Sequence, residues 1–182
     1  MGMRVYRRWA STLATAATTT LAAFTLASCS PPERELIGIR PTAESGAIAS
    51  LRPCGEDRVA SIEVLGSVIR DNPDGPVEDL TSWRVRSPRS VQGPEEIQLF
   101  HTPDGWIGDP TPLGDQRLEV THGYSVDFIV ASGGVVSYRG VVYFTTADLA
   151  RLERGQVWVS DRPMTVEEFL KHADQECDGG WF

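Results

Sequence analysis

The chain predicts a mainly β fold, a small antiparallel sandwich or barrel carrying one short helix and one longer C-terminal helix. Three observations lead there. Short runs alternate apolar and polar residues with the period of two that a half-buried strand requires, Arg58 to Leu65 being the clearest. Clusters of Gly, Pro, Asn and Asp separate these runs at regular intervals, the spacing expected of sandwiches and barrels. Only two segments, both late in the chain, repeat apolar residues at helical spacing.

From residue 36 onward the elements follow in order. Leu36-Ile37-Gly38-Ile39 reads as a first strand, Thr42 to Gly46 as a turn, and Ala47 to Arg52 as a second strand leading into Pro53-Cys54-Gly55. In Arg58 to Leu65 the alternation sets Ala60, Ile62 and Val64 on one face against Val59, Ser61 and Glu63 on the other. Asp71-Asn72-Pro73-Asp74-Gly75-Pro76 is a loop, because its residues break either regular structure. Trp83 to Arg86 is a strand, as is Ile97 to Phe100, and Thr102-Pro103-Asp104-Gly105 turns the chain into Trp106-Ile107. Arg117 to Thr121 and Tyr124 to Ala131 read as strands either side of His122-Gly123, with Tyr124, Val126 and Phe128 sharing a face. Ser132-Gly133-Gly134 leads into Val135 to Phe144, predicting a hairpin. A short helix over Thr146 to Leu152 stops at Gly155, and Gln156 to Ser160 is a strand. Thr165 to Glu176 is the longer helix, because Thr165 and Glu168 have capping-box spacing and Val166, Phe169, Leu170 and Ala173 form an apolar stripe.

The first 35 residues have a different character. Arg4, Arg7 and Arg8 precede an uncharged stretch from Trp9 to Leu26 that closes on Ala27 and Ser28, the layout of a secretory signal. Its many Thr and Ala residues make it less apolar than the ~20 strongly hydrophobic residues of a stable span. Leu26-Ala27-Ser28-Cys29 resembles the lipobox of bacterial lipoproteins, an aliphatic residue, two small residues and a cysteine. That resemblance implies cleavage before Cys29 and a diacylglyceryl group on its thiol, two acyl chains being enough for stable membrane attachment. Residues 1–28 are then a signal peptide, 29–35 a short lipidated tether, and 36–182 a single β-rich extracytoplasmic domain. Arg7-Arg8 also resembles a twin-arginine export signal, so the general secretory and twin-arginine routes both stay open.

Composition agrees with export. Of the 17 Lys and Arg residues three leave with residues 1–28, so 14 basic side chains remain against 25 acidic ones, a net charge of −11. Nucleic-acid binding needs clustered basic surface, and an acidic domain excludes it as the expected partner. Lys171 is the one lysine, a bias resembling lipoproteins of GC-rich Gram-positive bacteria. With Cys29 lipidated, Cys54 and Cys177 are the even pair expected to form a disulfide in an oxidising compartment, two buried free thiols being the alternative.

Candidate chemistry is sparse. His101, His122 and His172 stand singly, without the close spacing that puts two imidazoles on one metal. His122, Ser125 and Asp127 lie close in sequence, but triads assemble by geometry and no Gly-x-Ser-x-Gly elbow is present. Asp71, Asp74, Glu78 and Asp79 make an acidic loop that misses the EF-hand pattern, and Gly133-Gly134 follows no phosphate-loop arrangement. No cofactor or metal is expected. Trp83 and Trp158 read as core, whereas Trp106 in a Gly/Asp/Pro-rich loop and Trp181 in the tail read as exposed, with Trp106 the candidate ligand contact. The Trp83 strand followed by Tyr124-Ser125-Val126-Asp127-Phe128 resembles the core pattern of immunoglobulin-like and fibronectin-like sandwiches. The expectation is a lipid-anchored module on the extracytoplasmic face of the cell membrane that binds an envelope protein, a glycan or a small ligand. An envelope hydrolase is the alternative, recognisable by a histidine, an acid and a serine converging in one pocket, and a purely structural component would show neither feature.

Overall fold

The computed structural model describes residues 31–69, 80–132 and 135–179. The fold is mainly β, two open sheets and two helices, with the longer helix at the C-terminus. The smaller sheet contains β2 (Ile37–Pro41), β3 (Ala47–Leu51), β6 (Glu95–Gln98), β10 (Gln156–Val159) and β11 (Arg162–Thr165), in the order β11-β10-β2-β3-β6. The larger contains β1 (Glu33–Arg34), β4 (Arg58–Val68), β5 (Thr81–Gln92), β7 (Ile107–Gly108), β8 (His122–Ser132) and β9 (Val135–Thr145), in the order β1-β9-β8-β4-β5-β7. Every pairing is antiparallel except β1 on β9, so Glu33–Arg34, within the span the sequence assigns to the tether, already belongs to a sheet.

One core joins the sheets. Ile37, Ile39, Ala49, Leu51 and Trp158 of the smaller sheet and Ile62, Val64, Trp83, Val126, Phe128 and Val142 of the larger belong to one buried cluster. The indole Nε1 of Trp158 donates to the Tyr143 carbonyl at 2.9 Å and ties β10 to β9. Helix α2 (Val166–Asp178) covers the other face of the smaller sheet, where a Cβ on Gly38 would sit 3.2 Å from the Phe169 ring. The thin strand at Gly38 therefore sets the depth to which α2 packs. In the larger sheet Gly140 lies directly opposite Phe128, whose ring would come within 2.3 Å of an added Cβ, so the aromatic ring occupies the space a side chain would need.

Several expected elements change in the fold. The β4 alternation breaks at a bulge between Val59 and Ser61, which turns Val59 inward with Ile62 and Val64 and leaves Ala60 half-buried. Opposite it, β5 pairs at Arg86 and again at Val91, and the excursion between them accommodates Pro88, which has no amide proton for a ladder. Residues 117–121 are not a strand. Tyr124 turns its hydroxyl back onto them, accepting from Glu119 N at 2.5 Å and donating to the Arg117 carbonyl at 3.4 Å, so their backbone groups are taken up locally. This is the geometry of a tyrosine corner, known from immunoglobulin-like domains. The disulfide differs from theirs, since Cys54 and Cys177 form a bond from the turn after β3 to the end of α2 rather than across two sheets. Strand β11, unforeseen from sequence, folds back on β10. The α2 stripe buries Phe169 and Ala173 but leaves Val166 and Leu170 partly exposed.

The predicted hairpin forms, with β8 and β9 paired from Gly123↔Thr145 to Ser132↔Val135; the Gly133-Gly134 turn itself lies outside the described residues. Both helices carry the capping box, Thr145 with Asp148 at α1 (Thr146–Ala150) and Thr165 with Glu168 at α2. Around the disulfide, Tyr138 accepts a hydrogen bond from Cys54 N at 2.7 Å, and burial pushes its hydroxyl up to about 12. The Arg34 guanidinium lies over the Tyr138 ring and donates to the Glu176 carbonyl at 2.7 Å, so β1, β9 and α2 meet there.

Candidate functional site

A cleft of about 630 Å³ opens where β4 and β9 end and β8 begins. That volume falls within the range of small-ligand sites. Leu65, Ile69, Leu80 and Tyr143 line it and are each between 43% and 58% exposed, an unusual concentration of accessible apolar surface on a domain with a well-filled core. Tyr124, Phe144 and Trp158 contribute from the core side. The stacked Tyr124 and Phe144 rings, with centroids 5.5 Å apart, make that wall rigid, and burial raises the Tyr124 hydroxyl above the ordinary tyrosine range.

The polar rim comes from α1 and from the two-residue turn joining β10 to β11. Asp148 accepts from Thr145 N and Oγ1 at 2.8 and 2.7 Å and pairs with Arg151 through its other oxygen. Arg151 in turn lies 5.2 Å over the Trp158 ring, an arrangement that fixes a guanidinium at the cleft edge. Ser160, held in the left-handed region at φ 57°, and Asp161 complete the rim. Beyond its two-residue pairing with β1, the edge of β9 is partly closed by side chains, Trp158 on the Tyr143 carbonyl and Asp148 on Thr145 N. The cleft therefore presents side chains more than a bare strand edge, which suits a compact ligand with an apolar face and polar substituents.

A second polar cluster lies farther along the solvent face of the larger sheet. Glu63 and Asp127 are directly paired across β4 and β8, an arrangement unfavourable for like charges. Arg84 pairs with Glu63, and Arg139 approaches Asp127 at 3.8 Å while pairing with Glu33. Burial, followed by repulsion from Glu63, raises the Asp127 carboxyl above its ordinary range, with both arginines opposing the shift.

The residues singled out from sequence are dispersed. Cys29, the acidic residues Asp71, Asp74, Glu78 and Asp79, and Trp181 lie outside the described residues. Trp106 is partly buried against the core and is not part of the cleft lining. The pleat separates His122, Ser125 and Asp127: His122 turns inward and stacks on Tyr124, whereas Ser125 and Asp127 take the other parity of β8. His172 bonds Glu35 at 2.8 Å, joining α2 to the chain after β1. Among the described residues no group of three or more His, Cys, Asp or Glu side chains is placed to hold a metal ion.

The cleft residues Leu65, Tyr143 and Arg151 were not singled out from sequence. A signal was present, because Leu65 and Tyr143 occupy the solvent parity of their strands, where Glu63 and Arg139 stand farther along, and a large apolar residue at such a position marks a contact surface. Comparison with protein-family models, with curated proteins and with solved structures finds no match for this chain.

Proposed function

We propose that this chain is an exported lipoprotein, attached to the extracytoplasmic face of the cell membrane through diacylated Cys29, whose β domain acts as a binding module of the envelope. The cleft carries the binding half of this reading: accessible Leu65, Ile69, Leu80 and Tyr143 surround a rim bearing the fixed Arg151 guanidinium. Such a surface accepts an apolar or aromatic face and pairs with an anionic or hydroxyl-bearing group, as an amphiphile, a substituted glycan or a partner side-chain cluster would offer. The lipobox motif and the Cys54–Cys177 disulfide support export. A hydrolase reading has less support, since the described cleft lining contains Ser67, Ser125, Ser160, Asp148 and Asp161 but no histidine to join them.

The test uses the full chain isolated from membranes. Its intact mass is expected to match a chain beginning at diacylated Cys29, with two thiols that alkylate only after reduction, and Cys29→Ala is expected to leave the membrane fraction. The same protein, screened by thermal shift against acyl amphiphiles, glycan fragments and apolar peptides, is expected to be stabilised by one class, with the shift lost in Tyr143→Ala. An unmodified Cys29 sinks the anchor; shifts that survive Tyr143→Ala sink the cleft.

A further inference from the structure

The two sulfurs of the Cys54–Cys177 bond have unlike surroundings. On the Cys54 side, Arg34 Nη1 donates to Sγ at 3.7 Å and to the Glu176 carbonyl at 2.7 Å, and the guanidinium lies 5.0 Å over the Tyr138 ring. Contacts from β9 and α2 therefore fix a cation against the Cys54 sulfur. The Tyr138 hydroxyl accepts from Cys54 N at 2.7 Å and is hydrogen-bonded to the Asp57 side chain, so the carboxylate on this side has a donor of its own. Cys177, by contrast, stands in the last turn of α2, which carries no basic residue, and Glu176 and Asp178 flank it. The negative end of the helix and the two neighbouring acids disfavour a thiolate there, whereas a hydrogen-bonded guanidinium favours one at Cys54. Both cysteines are only partly buried.

In thiol–disulfide exchange a thiolate attacks one sulfur and the other departs as a thiolate, so the sulfur better able to carry negative charge is the one that leaves. Here that sulfur belongs to Cys54. We infer that the Cys54–Cys177 bond is a site of thiol–disulfide exchange, attacked at Cys177 Sγ by the thiolate of a dithiol partner, with Cys54 leaving beside Arg34.

The partner's sulfur bonds to Cys177 Sγ, the bond between Cys177 and Cys54 breaks, and its electron pair goes to Cys54 Sγ, which stays paired with Arg34. The partner's second thiol then attacks its own first sulfur in the mixed disulfide, and Cys177 leaves with the electron pair and takes up the proton that the second thiol gives up. Two electrons have passed from the dithiol to the domain: the partner ends as a disulfide, and the domain as a Cys54 thiolate and a Cys177 thiol. Helix α2 keeps Phe169 and Ala173 in the core, while its end comes free of the turn after β3. The exchange depends on neither the cleft nor the Cys29 anchor.

The test uses the full chain purified without reductant, with any free thiol first blocked by N-ethylmaleimide, so that Cys29 takes no part whether acylated or not. Glutathione is added in excess at neutral pH, early samples are quenched with deuterated N-ethylmaleimide, and the peptides carrying Cys54 and Cys177 are identified by mass. Glutathione on Cys177 with deuterated maleimide on Cys54 is expected in several-fold excess over the reverse. Arg34→Gln is expected to slow opening several-fold and to bring the two adducts toward equal amounts, with Arg34→Lys keeping most of the parent rate. A residue that merely clamps α2 would act in the opposite sense, since its loss frees the helix end, so faster opening in Arg34→Gln overturns the inference. An early adduct in the parent that is shared equally between the sulfurs, or that favours Cys54, overturns it whether or not the variants fold. A bond that glutathione opens only in urea overturns it as well.

Discussion

At the scale of single residues, the pleat decides which neighbours in sequence are neighbours in space. Asp127 lies close in sequence to His122 and Ser125, yet its partners are Glu63, Arg84 and Arg139 from other strands. Its raised carboxyl has a definite consequence for stability. The folded chain binds a proton at Asp127 more readily than the unfolded chain does, so stability from this group is greatest at low pH and falls as pH rises through the interval above the ordinary aspartate range. Replacing Asp127 with Asn removes that proton, and urea unfolding from about pH 4 to pH 7 is expected to show a shallower decline for Asp127→Asn than for the parent. Identical slopes would mean that the arginines cancel the burial and the Glu63 repulsion. The charged partners could not be read from sequence, because cross-strand register depends on where bulges fall.

At the scale of elements, local signals did well where they were self-contained. The Thr165–Glu168 capping box, the Thr42 to Gly46 turn and the β8–β9 hairpin each depend on residues a few positions apart, and each is found in the fold. Elements set by distant contacts went differently: residues 117–121 lost their strand to the Tyr124 hydroxyl, and β11 gained one by pairing with β10. The α2 end shows how a predicted long-range bond serves a local element. Cys177, His172 and the Glu176 carbonyl hold the helix to the turn after β3 and to the β1 region. Closing a loop of sequence separation 123 contributes about 3–5 kcal/mol in the chain-entropy model. The Cys54→Ser, Cys177→Ser double variant is therefore expected to melt roughly 6–20 °C lower, with an unchanged far-UV spectrum at 25 °C. A melting temperature equal to the parent's would show that α2 is held by Phe169 and Ala173 without the bond.

At the scale of the whole molecule, the two sheets bury one continuous core with α2 on the outer face of the smaller, so neither sheet has a core of its own. Unfolding from residue 31 onward is expected to be a single transition, with near-UV and far-UV circular dichroism superimposing across urea concentration; separated midpoints would mean that the smaller sheet and α2 open first. The sequence by itself determined that the domain is mainly β with a C-terminal helix and that Trp83 and Trp158 are core, because periodicity and residue chemistry are properties of the chain alone, and with Cys29 set aside it pointed to the Cys54–Cys177 bond that the fold contains. Only the tertiary structure decided that Leu65 from β4, Tyr143 from β9 and Arg151 beyond α1 surround one cleft, and that Trp106 packs against the core instead. Those residues are brought together by strand order and cross-strand register, which follow from how the whole core packs and which no local stretch of sequence encodes.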